Sequence, residues 1–256
     1  MPERQVLIEK EDAICILSMN RPGRLNALSL EIAQELQEHF DQIALDGQIR
    51  VIILEGAGGN FSSGADMFDL HQERAAPEWL AAMKRIGKLI QTMRELPQPI
   101  ITKVRGVAYG GGANLALAGD FVLASQNARF CQVFINIGVI PDCGGFYFLP
   151  RLIGLSRARE LALLGDEVDG KSAASIGLIY KSVPDEELDR EVTHLARTLA
   201  QKSLPAMALI KEGLEISLEM SLKEVLEWEA SHQAIMLQDP GHKKAVREFL
   251  RSRGKL

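Results

Sequence analysis

Cysteine, aromatic side chains and charge of one sign are all in short supply. The three cysteines, Cys15, Cys131 and Cys143, have no paired spacing and no histidine pattern beside them. A disulfide framework or a structural zinc site is therefore not expected, and a reducing compartment is the natural setting. Aromatic residues make up 5% of the chain and the formal net charge is -5. The basic face that nucleic-acid phosphates demand is missing, so nucleic acid is not expected as a partner. The most apolar stretch, 104–124, is interrupted by Gly110-Gly111-Gly112 and Gly119-Asp120, which makes it a buried core segment rather than a membrane span. The opening MPERQVLIEKED is charged throughout, so a secretory leader is not expected there, and a soluble cytoplasmic protein is. Neither Gly-x-Ser-x-Gly nor His-Glu-x-x-His occurs, which leaves a triad hydrolase or a zinc hydrolase without support.

What is present is ordinary globular composition, 46% hydrophobic and 25% charged over 256 residues. That length suits one large domain, or one domain with a helical appendage. Val6–Ile8 and Ala13–Met19 read as strands of a hairpin turning at residues 9–12. Ser29 reads as the N-cap of an amphipathic helix through Leu30, Ala33, Leu36, Phe40 and Ile43, ended by Gly47. Further strands are expected at 50–54, 100–104, 121–124, 128–132 and 179–183, with a helix at 77–96 between them. Strands alternating with helices imply parallel βαβ units. The pattern beyond residue 156 is mostly helical, and residues 204–250 read as three consecutive amphipathic helices. The expected organisation is an α/β core over 1–200 and a helical region over 201–256, whose broad apolar faces suit packing against a neighbouring subunit.

Two glycine-containing segments bear on chemistry. Gly110-Gly111-Gly112 follows a strand and opens a helix, a position that offers unpaired N–H groups and the positive end of a helix dipole. A tight turn is the plainer explanation, but three glycines exceed what one turn needs. A dinucleotide fingerprint fails, because Leu115 stands where its third small residue belongs. Phe61-Ser62-Ser63-Gly64-Ala65-Asp66 follows the strand at 50–54, and alone it is only a turn with a helix cap.

Together, FSSGAD and RGVAYGGGANLALAGD say more. With NRPGRLNALS before them and IPDCGGFYFLPRLIG after them, they resemble the crotonase (enoyl-CoA hydratase/isomerase) superfamily over essentially the whole chain. The resemblance implies an α/β fold, a crotonase-like ββα-superhelix core with a helical C-terminal region that forms trimers or dimers of trimers. It implies an acyl-CoA thioester substrate, with coenzyme A as part of that substrate and no separate cofactor or metal. The N–H groups of Ala65 and Gly111 would form the oxyanion hole. Arg24, Leu25 and Ala27, with Ala65, Asp66, Met67 and Phe68, would contact CoA.

The chain departs from the hydratases of that superfamily, which manage a water with two glutamates. Here those positions, facing the substrate, hold Asn114 and Phe134. An amide and a phenyl ring cannot act as a general acid–base pair. One acid remains nearby, Asp142. As a residue after proline before a helix it suits an N-cap. Against that, Gly144 and Gly145 are poor first-turn residues and suggest a helix end kept open for a ligand. Phe134 and Ile140 are expected to make its surroundings apolar. The segments GANLALAGDFVLA, FINIGVIPDCGGFYFLPRLIG and LALLGDEV are similar to the aryl-epoxide thioester isomerases of the superfamily, in which an aspartate at this position is the implied acid/base. The expectation is therefore a double-bond isomerase with Asp142 as its acid/base. A hydratase, a dehalogenase-type hydrolase, and a non-catalytic acyl-CoA or RNA-binding member remain as alternatives. His71 and Tyr147 are secondary candidates, each with a structural role as the plainer reading.

Overall fold

The computed structural model describes residues 4–253 and 255. The chain divides into two compact units, residues 1–200 and 201–256.

The first unit contains, in chain order, β1 (Val6–Glu11), β2 (Ile14–Met19), α1 (Leu30–Leu45), β3 (Val51–Gly56), α2 (Met67–Leu70), α3 (Ala76–Glu95), β4 (Ile100–Val104), β5 (Val107–Tyr109), α4 (Gly111–Leu117), β6 (Phe121–Ser125), β7 (Arg129–Cys131), α5 (Gly145–Leu164), β8 (Glu167–Asp169), α6 (Gly170–Ser175), β9 (Lys181–Val183) and α7 (Leu188–Ala200). Ser29 does cap α1, its side chain accepting from the Ile32 N–H at 3.3 Å. The first hairpin is tighter than the sequence reading has it. β1 runs through Glu11, and the turn is Asp12-Ala13 with Asp12 at φ 53°. Residues 9–11 carry charge because β1 is a sheet edge, where charged side chains discourage pairing with other chains.

A six-stranded sheet runs β1-β2-β3-β4-β6-β9. Only the β1–β2 pair is antiparallel. Both faces of the sheet are covered. Cys15, Leu17, Ile52, Leu54, Ile100 and Val122 join a core with Leu36 and Phe40 of α1 and Leu89 of α3. The alternate residues Ile14, Val51, Ile53, Ile101 and Leu123 pack on Leu188, Val192 and Ala196 of α7. Burial on two faces is why β3 reads as the continuous apolar run Val51-Ile52-Ile53-Leu54 instead of an alternating one.

A second sheet, β5-β7-β8, escapes the sequence reading in part, because the three-residue strands β5 and β8 are too short to display a period of two. The glycine triplet therefore follows β5, and not the longer β4. α5 is broken at Gly154, which sits at φ 71°, ψ 161°.

The second unit consists of α8 (Leu204–Ile216), α9 (Leu222–Met236) and α10 (Pro240–Ser252). Ser203, Ser221 and Asp239 cap the three helices with their side chains. None of the three helices buries a residue, and Ile210, Leu214, Leu226, Ile235 and Phe249 are exposed. Among the described residues no helix is long and apolar enough to cross a membrane.

Leu54→Ala, at a fully buried position, should lower stability by about 2–5 kcal/mol in urea unfolding. Leu45→Ala, at a position 90% exposed, should stay within about 0.5 kcal/mol of the parent. Equal losses would mean that the first core is misassigned.

Candidate active site

Three loop segments continue the C-terminal ends of adjacent strands and lock together through main-chain hydrogen bonds. Ser62 forms a parallel bridge with Ala108. Its N–H donates to the Val107 carbonyl at 3.0 Å, and its carbonyl accepts from Tyr109 at 3.0 Å. Leu28, beyond β2, donates to the Gly64 carbonyl at 2.7 Å. The Ser62 hydroxyl, wholly buried, donates to the Asn26 carbonyl at 2.8 Å and accepts from the Gly64 N–H at 3.2 Å.

The glycines are explained by how closely these segments meet. A Cβ on Gly64 would stand 2.5 Å from the Tyr109 carbonyl oxygen and 3.3 Å from the Gly111 nitrogen, at a φ of +83°. A Cβ on Gly112 would stand 2.6 Å from the Ser62 carbonyl oxygen. Gly110 turns the chain at φ +50°. Part of the triplet thus serves contact between protein segments, where the sequence reading assigns it to a ligand. Among the described residues no acceptor pairs with the Ala65 N–H. Gly111 is the first residue of α4, so its N–H has no partner within the helix. The two amides expected to cradle an oxyanion are therefore drawn into adjacent segments with their donors unspent.

Asp142 reaches the same place from the other side. The point where a Gly111 Cβ would lie is 3.4 Å from Asp142 Oδ1 and 3.1 Å from Cys143 Sγ. The N-cap of α5 is Gly144, and no side chain caps it, so Asp142 is not a capping residue. Its Oδ1 is buried without a hydrogen-bond partner. Burial raises the carboxyl above the usual aspartate range, and the neighbouring Cys143 thiol acts in the opposite direction. Burial also holds the Cys143 thiol well above its ordinary value.

Two expectations about this loop need correction. Ile140 is 72% exposed, so it does not bury the carboxyl. Gly144 and Gly145 do not keep the helix end open: a Cβ on Gly144 would strike the Phe148 ring at 2.6 Å, and one on Gly145 would strike Asn114 Nδ2 at 2.5 Å. Their small size admits protein side chains.

Asn114 and Phe134, expected to face the substrate, are both buried. Asn114 Nδ2 donates to the Asp142 main-chain carbonyl at 2.8 Å, and its Oδ1 accepts from Gln132 Nε2 at 2.9 Å. The Phe134 ring packs behind Gly110, 3.6 Å from where a Cβ would lie.

The residues expected to hold CoA divide into surface and support. Arg24, Leu25, Met67 and Phe68 are exposed, and the Arg24 guanidinium lies 4.0 Å over the Phe68 ring. Asp66 is buried beneath them. It pairs with Arg21 at 3.0 Å and Arg24 at 3.7 Å, and it caps α2 by accepting from the Phe68 N–H at 3.0 Å. Ala27 is buried, and its carbonyl accepts from Arg21. Asn26, overlooked in the sequence, clamps this turn: at φ 51° it accepts from the Arg21 N–H and donates to the carbonyls of Ala57 and Asn60. Its signal was an asparagine in a turn cluster, the residue type that best tolerates left-handed backbone after glycine. His71 follows α2 as its exposed C-cap. Tyr147 stacks under the Arg151 guanidinium at 3.6 Å.

Known proteins are similar to this chain in sequence and in fold. The sequence profile of the enoyl-CoA hydratase/isomerase family matches residues 9–255. The 1,2-epoxyphenylacetyl-CoA isomerase of Escherichia coli (strain K12) is 36% identical over 251 residues, covering 97% of this chain and 96% of its own. A probable enoyl-CoA hydratase of Rhodobacter capsulatus is 33% identical over 253 residues, covering 99% and 97%. The crystal structure of an enoyl-CoA hydratase from Bacillus anthracis superposes with a TM-score of 0.93 at 29% identity, covering 97% and 96%.

Because desolvation raises the half-buried Asp142 carboxyl, its folded value lies above its unfolded one. Its contribution to stability is then fully present in acid and is lost as pH rises through the folded value. Asp142→Asn should therefore raise the melting temperature at neutral pH, and the gain should shrink in mild acid. A variant that melts lower at neutral pH would show that hydrogen bonds to the carboxylate outweigh its burial.

Proposed function

The chain belongs to the enoyl-CoA hydratase/isomerase family, and we infer that within it the protein is an acyl-CoA isomerase which moves a double bond through an enolate, with Asp142 as its single acid/base. The observation that carries this reading is the pairing of a half-buried carboxyl beside Gly111, its Oδ1 without a hydrogen-bond partner, with the absence of carboxylates at positions 114 and 134. Adding water across a double bond calls for two groups to handle its protons, whereas a 1,3 proton shift needs one.

In the proposed step the thioester oxygen sits between the N–H groups of Ala65 and Gly111. The Asp142 carboxylate removes the proton from the carbon beside the carbonyl. The released electron pair spreads onto the thioester oxygen, where each preorganised donor stabilises the developing charge by about 3 kcal/mol. Asp142 then returns the same proton two carbons further along, so a 3-enoyl thioester becomes a 2-enoyl thioester. The raised carboxyl suits both halves of the exchange, since a stronger acid would return the proton easily but take it poorly. The step uses no metal or redox group, and coenzyme A enters as part of the substrate. Arg24, on the exposed turn, is assigned to a CoA phosphate.

The named activity of the Escherichia coli relative makes an aryl-epoxide thioester the first substrate to try. Hydration is the second reading, favoured by the name of the Rhodobacter capsulatus relative. Solvent oxygen in the product would identify it. The exposed apolar residues of α8–α10 support assembly into a homo-oligomer, a trimer or a dimer of trimers.

Asp142→Asn should abolish isomerisation in a panel of 2-enoyl, 3-enoyl and aryl-epoxide CoA thioesters while the thioester still binds. In the parent, kcat/KM should rise with pH through a value above the ordinary aspartate range of about 3.9. Turnover by Asp142→Asn at the parent rate would end the assignment.

A further inference from the structure

Asn114 and Gln132 stand at the centre of the site without facing open space. Asn114 is wholly buried and Gln132 is 4% exposed. Their amides form a short chain, Gln132 Nε2 to Asn114 Oδ1 at 2.9 Å and Asn114 Nδ2 to the Asp142 carbonyl at 2.8 Å. We propose that this amide relay is a positioning device for the acid/base, fixing Asp142 through its main-chain carbonyl so that the carboxyl stands over Gly111. The inference rests on the assignment of Asp142 as the acid/base.

The geometry that carries it is the spacing on α4. Gly111 and Asn114 are three residues apart and so lie on one face of the helix. The first turn is closed by the Asn114 N–H donating to the Gly110 carbonyl at 3.1 Å. One rigid turn thus presents an unspent N–H at position 111 and holds the Asp142 backbone at position 114. The oxyanion donor and the anchor for the loop that carries the carboxyl thus sit on the same helix turn.

Gln132 fixes which way the Asn114 amide points. With its oxygen engaged by Gln132 Nε2, Asn114 can offer only its NH₂ to Asp142; turned over, two carbonyl oxygens would oppose each other. Gln132 is itself placed by β7, whose last residue, Cys131, accepts from the Gly110 N–H at 2.8 Å. The relay and the start of α4 hang from the same strand.

The relay also carries a cost that packing alone does not explain. Gln132 Oε1 is buried without a partner. Leaving such an oxygen unsatisfied costs the fold its desolvation, and an apolar residue of similar shape would avoid that cost. A group retained at that cost beside the Asp142 carboxyl, whose Oδ1 is likewise buried without a partner, fits a positioning role better than a filling one.

The diagnostic substitution is Asn114→Asp, which keeps the volume and the acceptor for Gln132 but removes the donor to Asp142. The probe is exchange of the C2 hydrogen of a 3-enoyl-CoA with deuterated solvent, followed alongside kcat and KM. The thiol of Cys143 is the one titratable neighbour that shifts the Asp142 carboxyl in the parent, so a new carboxylate at 114 would be a second. We expect kcat to fall about a hundred-fold, the scale of roughly 1 Å of misplacement, with KM little changed. The acid limb of kcat should move to higher pH. Gln132→Met, free of added charge, should lower kcat without moving KM, and the double variant should be no worse than the worse single one. Should Asn114→Asp fail to fold, Gln132→Met decides by the same readouts. Unchanged kcat in these variants, or losses that merely track the folded fraction with the acid limb unmoved, would overturn the relay. If Asp142→Asn is inactive in that case, the acid/base assignment survives it; if Asp142→Asn still exchanges the C2 hydrogen, both fall.

Discussion

The site depends on one approach of main chain to main chain, residues 61–65 against 107–111. A backbone N–H is aimed by its peptide plane and cannot swing as a side chain does, so two of them converge only where two segments are fixed together. The sheet supplies the fixing. β2, β3 and β4 are neighbours running in parallel, and the segments around Leu28, Ser62 and Ala108 lie beyond their C-terminal ends in the same order. This is where ligands gather in parallel α/β sheets, because the loops there share an orientation and a scaffold. Ser62 then stitches all three segments with its backbone and hydroxyl. A side chain at Gly64 or Gly112 would force the segments apart, so glycine marks contact here as much as freedom.

A second constraint works against the first. Closing three segments over α4 removes water from the Asp142 carboxyl, and among the described residues none replaces its hydrogen bonds at Oδ1. An acid whose desolvation outweighs its hydrogen bonds weakens the fold when ionised. The core of two covered sheet faces provides the stability against which such a group can be kept. In a capping role the same aspartate would have gained further main-chain donors and a lowered affinity for its proton, the opposite of what a base that must also return a proton needs.

Much of this was legible in the sequence, and the reasons are specific. The parallel strands announced themselves through apolar runs, and α1 through Ser29 and its five spaced apolar residues, since burial imposes a period wherever an element is long. β5 and β8 stayed hidden because three residues cannot display one. The convergence of FSSGAD with GGG was readable only from the resemblance, as forty residues separate them in the chain and no local rule links them. Gly145, after Asp142, was misread for the same reason: what crowds it is Asn114, a residue far away in sequence. Gln132 and Asn26 were missed because single amides in a core carry no pattern, and only their partners reveal them.

Position 114 shows how one scaffold is turned to different chemistry. Its side chain leaves α4 on the face that also carries the Gly111 donor, so whatever stands there meets the reacting region or its supports. A carboxylate at that point can accept a proton from water, but when ionised it has no hydrogen to give the Asp142 carbonyl. Asparagine gives that hydrogen and forgoes the proton chemistry. The two services exclude each other at a single atom. Under the proposed reading, a chain that draws its acid/base from the loop before α5 needs the amide at 114, since the loop has no other side chain from α4 to hold it. The missing glutamate is then the condition on which a lone aspartate can be held in place.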